Sequence, residues 1–229
     1  TTTVVNHLNL NQELSCVSNE LQFFSNDKYF LKGEDWYHDN LIKNEYGGLV
    51  GEKSTAYSYI KGSAPRIAKY NPEVKLIWVF RNPVKRTYSN YWHAVMAGAE
   101  KRTFGDCVDR CLTDNDVDVY ENYVDRSCYV QQVDQYLEYF TMDQMHFVFI
   151  EEFWNGREKV LSGIAEFLGV NGKFEGKQTS LVNNVGYRPL SVNLEYYSKK
   201  MFGNTLPWKC IHFINKKLGS SYPEIGEVD

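Results

Sequence analysis

Arg81, Asn82 and Pro83 follow a run of β-formers, Val74 to Phe80, and Arg86, Ser89 and His93 come next at helical spacings of three and four residues. Proline suits the first position of a helix, because its missing N–H would have no partner there and its φ is already set. A guanidinium at the end of a strand, a helix N-terminus and a hydroxyl further along one helical face make a cradle for a phosphate. Read on spacing alone, Arg81 and Arg86 serve equally well as partners in surface ion pairs.

Two further segments carry groups suited to group transfer. In Asn19-Glu20-Leu21-Gln22-Phe23-Phe24, a carboxylate stands before paired aromatics, which partly desolvate it and fit it for general-base use. In Glu52-Lys53-Ser54-Thr55, which follows the short apolar pair Leu49-Val50, Lys53 is positioned to neutralise an anion as charge moves. Each segment alone reads better as a solvated charge beside core aromatics. Taken together, base, lysine and phosphate cradle point to transfer from a phosphorylated donor.

The bulk composition narrows the alternatives. The 229 residues carry 25 Lys plus Arg against 29 Asp plus Glu, a net charge of −4, so no dense basic face for general nucleic-acid binding is expected. Apolar stretches such as Leu76–Phe80 and Phe147–Ile150 are too short to span a bilayer. Cys16, Cys107, Cys111, Cys128 and Cys210 form no CxxC pair or zinc-type cluster, and no metal is expected. Free thiols and the absence of an Asn-x-Ser/Thr acceptor favour a cytoplasmic setting.

The segment VKLIWVFRNPVKRTYSNYWH, Val74 to His93, resembles the 3′-phosphate-binding segment of the sulfotransferases that use 3′-phosphoadenosine 5′-phosphosulfate (PAPS). Their strand followed by R-x-P-x-x-R-x-x-S is met by Arg81, Pro83, Arg86 and Ser89. The likeness is closest to the carbohydrate (heparan-type) and bacterial branches. Their E-x-H-F-F is matched by Glu20 to Phe24, and their E-K-S/T-x-x-Y by Glu52 to Tyr57. Ser127-Cys128-Tyr129 with Leu137 and Phe140 resembles the family's G-x-Y…L…F helix. Ile150 to Phe153 with Phe167-Leu168-Gly169 resembles its Y-E-D-L…F-L-G stretch.

The resemblance implies roles. Glu20 is the catalytic base and Lys53 supports charge at the reacting centre. Thr1, Thr2 and Thr3 hold the 5′-phosphosulfate, Tyr129 lines the nucleotide pocket, and Arg81 and Ser89 hold the 3′-phosphate, over which Arg188 closes. PAPS is the donor and its desulfated form, adenosine 3′,5′-bisphosphate, the product. The acceptor is a hydroxyl of a carbohydrate or small alcohol. Two departures stand out. The family's phosphosulfate loop reads K-x-G-T-T, whereas this sequence starts Thr1-Thr2-Thr3, its beginning expected to be trimmed. Gln22 and Ser25 replace the usual His and Asp, which weakens the case for a glycosaminoglycan acceptor. A non-catalytic nucleotide-binding domain of the same fold and a small P-loop kinase are the alternatives. A Golgi lumen is the alternative compartment should the chain be a eukaryotic carbohydrate sulfotransferase.

Strands must place these groups at one sheet edge. Val74–Phe80 and Met145–Ile150 read as buried strands, Leu49-Val50 as a shorter one. Helices are expected over Thr3–Leu10, from Pro83 onward, Phe104–Leu112, Tyr129–Phe140 and Ser191–Met201, with another through Val160, Leu161, Ile164, Phe167 and Leu168 stopped by Gly169. Apolar strands separated by helices predict an α/β three-layer sandwich with a central parallel sheet, P-loop NTPase-like by the resemblance. One domain over 1–229 is expected, with a mobile acidic loop at Asp114–Asp125 and a polar tail from Gly219. Trp36, Tyr37, Trp92 and the stretch Gly98–Tyr123 are expected to line the acceptor cleft.

Overall fold

A computed structural model describes residues 1–41, 47–114, 116–119, 121–174 and 187–220. In chain order the elements are α1 (Thr2–Leu8), β1 (Leu14–Cys16), α2 (Asp27–Phe30), α3 (Gly33–Asn40), β2 (Leu49–Gly51), α4 (Ser63–Tyr70), β3 (Leu76–Phe80), α5 (Pro83–Met96), α6 (Phe104–Thr113), α7 (Tyr129–Leu137), β4 (Met145–Phe149), α8 (Ile150–Asn155), α9 (Arg157–Leu168), α10 (Val192–Phe202) and α11 (Leu206–Lys217). They gather into two compact units. The first holds Thr1–Arg81 and Tyr129–Asn183, the second Asn82–Cys128 and Asn184–Asp229.

The four strands among the described residues lie in the first unit and pair in parallel. β1 runs beside β2 with Leu14 opposite Leu49, and β3 beside β4 with Leu76 opposite Met145 and Phe80 opposite Phe149. The side-chain alternation of β3 explains the layering, because successive residues point to opposite faces. Trp78 and Phe80 enter a core with Phe23, Phe24, Tyr37 of α3, Ile67 of α4 and Tyr136 of α7. Ile77 and Val79 face the other way, into a core with Val4 and Leu8 of α1, Phe153 of α8 and Leu161 and Ile164 of α9. Helices therefore cover both faces, which is why the strand reads as an unbroken apolar run. Each fully buried side chain such as Ile164 contributes about 1.5–3 kcal/mol.

The parallel pairing with helices on both faces expected from the sequence is present, carried among the described residues by small sheets. The hydrogen bonds make two separate two-stranded sheets, β1–β2 and β3–β4. β2 is short, and its Leu49 and Val50 remain exposed.

The second unit is helical. Tyr88, Tyr91, Trp92 and Val95 recur on one face of α5 at spacings of three and four residues and pack with Cys107 of α6 and Tyr123. Trp92 is thus a core residue, 6% exposed, and not part of an acceptor surface. Thr103 opens α6 with a capping box to Asp106. α10 and α11 are joined by a buried polar cluster in which Glu195, 0% exposed, pairs with His212 Nδ1 at 2.5 Å and accepts from Asn215 Nδ2 at 2.7 Å. The polar tail expected from Gly219 begins otherwise, because Ser220 forms an antiparallel bridge with Arg188. Residues 221–229, and positions 115 and 120 of the acidic stretch, lie outside the described residues.

Candidate active site

The segment after β2 is extended at Ser54, with φ −136° and ψ 110°, so its side chains alternate between two directions. Lys53 and Thr55 serve Glu20. The Lys53 ammonium lies 3.6 Å from the Glu20 carboxylate, and the Thr55 hydroxyl donates to it at 3.1 Å. Lys53 Nζ also donates to the Thr2 hydroxyl at the start of α1, at 3.1 Å. The Lys53 side chain is 9% exposed and that of Glu20 28%, so the cation is held within the fold while the carboxylate retains access to solvent. Glu20 and Thr2 lie 33 and 51 residues before Lys53 in the sequence, yet both meet it at one place.

Glu52 and Ser54 point the other way. Glu52 accepts from the hydroxyls of Ser54 at 2.5 Å, Tyr57 at 2.8 Å and Tyr37 at 3.1 Å. Burial raises the Glu52 pKa, and the neighbouring Glu20 adds to this, against the lowering effect of the three donated hydrogen bonds. Tyr37 and Tyr57 are pushed above the ordinary phenol range, first by burial and then by the Glu52 charge. Ser54 Oγ in turn accepts from the Gln22 backbone N–H at 2.8 Å. Gln22 has φ 54°, in the left-handed region, which costs a side-chain-bearing residue about 1–2 kcal/mol. Sequence reasoning assigned no role to Glu52, Ser54 or Gln22. Tyr37, expected at the acceptor surface, is buried and stacked on Phe23 at 4.7 Å. Trp36 stacks on Tyr29 at 5.5 Å and is partly exposed.

At the end of β3, Arg81 is exposed and forms no ion pair among the described residues. Tyr129, at the start of α7, stacks on the adjacent Phe80 with ring centroids 4.4 Å apart. Thr1 is exposed, Thr2 partly buried and Thr3 buried, with the Thr3 carbonyl bonded to His7 Nδ1 at 2.7 Å.

In the second unit, the helix N-terminus expected to cradle a phosphate is already capped. The Asn82 side chain accepts from the N–H groups of Val84 and Lys85, both at 3.1 Å. Those two amides are satisfied internally, so an anion near this turn is served by side chains. Arg86 turns inward, donating to Ser127 Oγ at 3.3 Å and to the Tyr123 carbonyl at 3.5 Å. It anchors the 123–127 segment, as does the Thr87 hydroxyl, which donates to Ser127 Oγ at 2.8 Å. Ser89 lies on α5 and is partly buried, and Arg188 is exposed on its bridge to Ser220. Asn183 to Gly186, adjoining Arg188, lie outside the described residues.

A comparison with known families matches residues 52–201 to the model described as sulfotransferase domain. The chain belongs to this sulfotransferase family. It is 31% identical over 145 residues to mouse (Mus musculus) heparan sulfate glucosamine 3-O-sulfotransferase 5, covering 62% of this chain and 42% of that protein. It is 25% identical over 225 residues to the human (Homo sapiens) 3B1 enzyme of the same name, covering 98% of this chain and 54% of that protein. The chain thus spans about half the length of these curated relatives. The crystal structure of a sulfotransferase from Alicyclobacillus acidocaldarius superposes with a TM-score of 0.64 at 21% identity, over 93% of this chain and 90% of that one, which establishes the shared α/β fold. No described helix is long and apolar enough to cross a membrane.

Proposed function

We propose that this chain transfers a sulfuryl group from PAPS to a hydroxyl of a carbohydrate acceptor, a small alcohol being the simpler substitute. The observation that carries the reading is the meeting of Glu20, Lys53 and Thr2. Membership of the sulfotransferase family and the names of the heparan sulfate relatives support the donor and the acceptor class.

The residues present fit such a donor. A lysine held between a hydroxyl and a carboxylate suits the sulfate end, and an exposed arginine beside a stacked tyrosine suits a phosphorylated nucleoside. Thr1, Thr2 and Lys53 are assigned to the phosphosulfate, Arg81 to the 3′-phosphate and Tyr129 to the nucleoside. Thr3 is buried, so its assignment falls to its backbone. The assignments of Ser89 and Arg188, which belong to the second unit, rest on the sequence resemblance.

The donor supplies an electrophilic sulfuryl group on a nucleotide leaving group. Glu20 takes the proton of the attacking hydroxyl at a carboxylate oxygen, a role usually contributing about 10²–10⁴-fold. Thr55 orients that carboxylate by donating to it. Lys53 offsets negative charge, and its low exposure makes that charge more effective than it would be in water. The test is an assay with radiolabelled PAPS against polysaccharide, small-alcohol, lipid and tyrosine-peptide acceptors. Label on the polysaccharide is expected. No label on any acceptor, with no binding of adenosine 3′,5′-bisphosphate, overturns the reading.

A further inference from the structure

The Glu20 carboxylate sits two residues before Gln22, the one described residue other than glycine with a positive φ. Backbone held in a sparsely populated region persists only where its surroundings over-determine it. The surroundings are explicit. Beyond Gln22 the turn closes on itself, the Gln22 carbonyl accepting from the N–H groups of Ser25 at 3.3 Å and Asn26 at 3.0 Å. From the other side, Ser54 Oγ accepts from the Gln22 N–H. A serine hydroxyl has one proton, and this one is committed to Glu52. The direction of the Ser54 lone pairs is therefore set by Glu52, which is itself fixed by Tyr37 of α3 and by Tyr57, five residues further along its own segment.

We propose that Glu52 and Ser54 are positioning residues for the general base. Through the Gln22 N–H they hold the turn in its left-handed form and so fix where the Glu20 carboxylate stands relative to Lys53. The same tetrapeptide grips the 20–24 loop by both faces. Lys53 and Thr55 take the Glu20 side chain, while Ser54, oriented by Glu52, takes the backbone two residues on. Removing the inner pair leaves every group that contacts substrate in the chain but lets the base drift. A displacement of about 1 Å costs on the order of 10²-fold in rate. The inference rests on the proposed sulfuryl transfer for its kinetic consequence, though not for its structural one.

The experiment uses Ser54→Ala, and Ser54→Ala combined with Gln22→Gly, because glycine enters the left-handed region without a side-chain penalty. Ser54→Ala is expected to lower kcat about 10- to 100-fold, with the Kd for adenosine 3′,5′-bisphosphate within twofold of wild type. The double variant is expected to recover at least tenfold, which a merely structural loss at Ser54 would not do. Exchange of the Gln22 amide hydrogen is expected to be slow in the wild type and at least tenfold faster in Ser54→Ala. A kcat within twofold of wild type for Ser54→Ala, or a loss that Gln22→Gly does not restore, overturns the proposal. Should the wild type transfer no sulfuryl group, the proposed function falls, and the Gln22 exchange rate decides the clamp by itself.

Discussion

The Glu20 carboxylate and the Lys53 ammonium stand 3.6 Å apart, close enough to pair yet longer than a tight hydrogen bond. Lys53 spends its shorter contact on the Thr2 hydroxyl, at 3.1 Å. Thr55 lies 3.1 and 3.2 Å from the two Glu20 oxygens and maintains their position, while the side chain, 28% exposed, stays within reach of a proton from outside. Glu20→Gln preserves shape and hydrogen-bond acceptance but cannot take a proton. Sulfuryl transfer is expected to fall by about 10²–10⁴-fold. Binding of adenosine 3′,5′-bisphosphate, followed by calorimetry, is expected to survive. A fully active variant removes Glu20 from the base role.

Arg81 makes the opposite prediction. It is exposed at the end of β3, beside the Phe80–Tyr129 stack. Arg81→Ala is expected to weaken calorimetric binding of adenosine 3′,5′-bisphosphate by about 1.5–3 kcal/mol, the worth of a charged hydrogen bond. Loss of affinity without a matching loss of kcat at saturating donor separates this role from that of Glu20.

What the sequence made legible follows from how local each signal is. The strand ending at Phe80 and the helix beginning at Pro83 were readable because an apolar run and a helix-starting proline are written in adjacent residues; the Asn82 cap of that helix was not read. β1 escaped because its three residues, Leu14–Cys16, sit among polar neighbours and carry no period. α11 escaped because Leu206, Phe213, Ile214 and Leu218 remain exposed, so its pattern is not that of a buried face. Glu20 and Lys53 were found through short motifs. The Glu52 network was not, since Tyr37 lies fifteen residues from its partner and Gln22 is not a residue type that signals a left-handed turn.

Glu100 offers a pH test of the second unit. It is 3% exposed, and burial by itself would raise its pKa. The Arg102 guanidinium and the backbone N–H groups of Arg102 and Lys101 outweigh that effect and bring it from 4.5 down to about 2. A depressed carboxyl contributes stability that is complete above the unfolded value and lost as pH falls through the folded one. Unfolding free energy, measured by urea titration at a series of pH values, is therefore expected to decline between pH 4.5 and about 2. Glu100→Gln is expected to flatten that decline and to cost about 2 kcal/mol at neutral pH. This is less than for a fully buried pair, because the Arg102 side chain is 34% exposed.

Gly98 and Gly169 separate two costs that are usually confounded. Both have positive φ, 66° and 78°. At Gly169, which ends α9, a Cβ would meet nothing within 4 Å. Gly169→Ala is therefore expected to cost only the left-handed penalty, about 1 kcal/mol. At Gly98 a Cβ would lie 2.6 Å from Lys199 Cβ and 2.9 Å from the Glu195 carbonyl oxygen. Neither neighbour is the free end of a flexible chain, and the Glu195 side chain holds His212 and Asn215 of α11. Gly98→Ala is thus expected to add an overpacking cost of about 1–3 kcal/mol to the same backbone penalty. Denaturant midpoints compared at equal m-value measure the difference. Equal losses at the two positions would mean that α10 does not press on Gly98 as described.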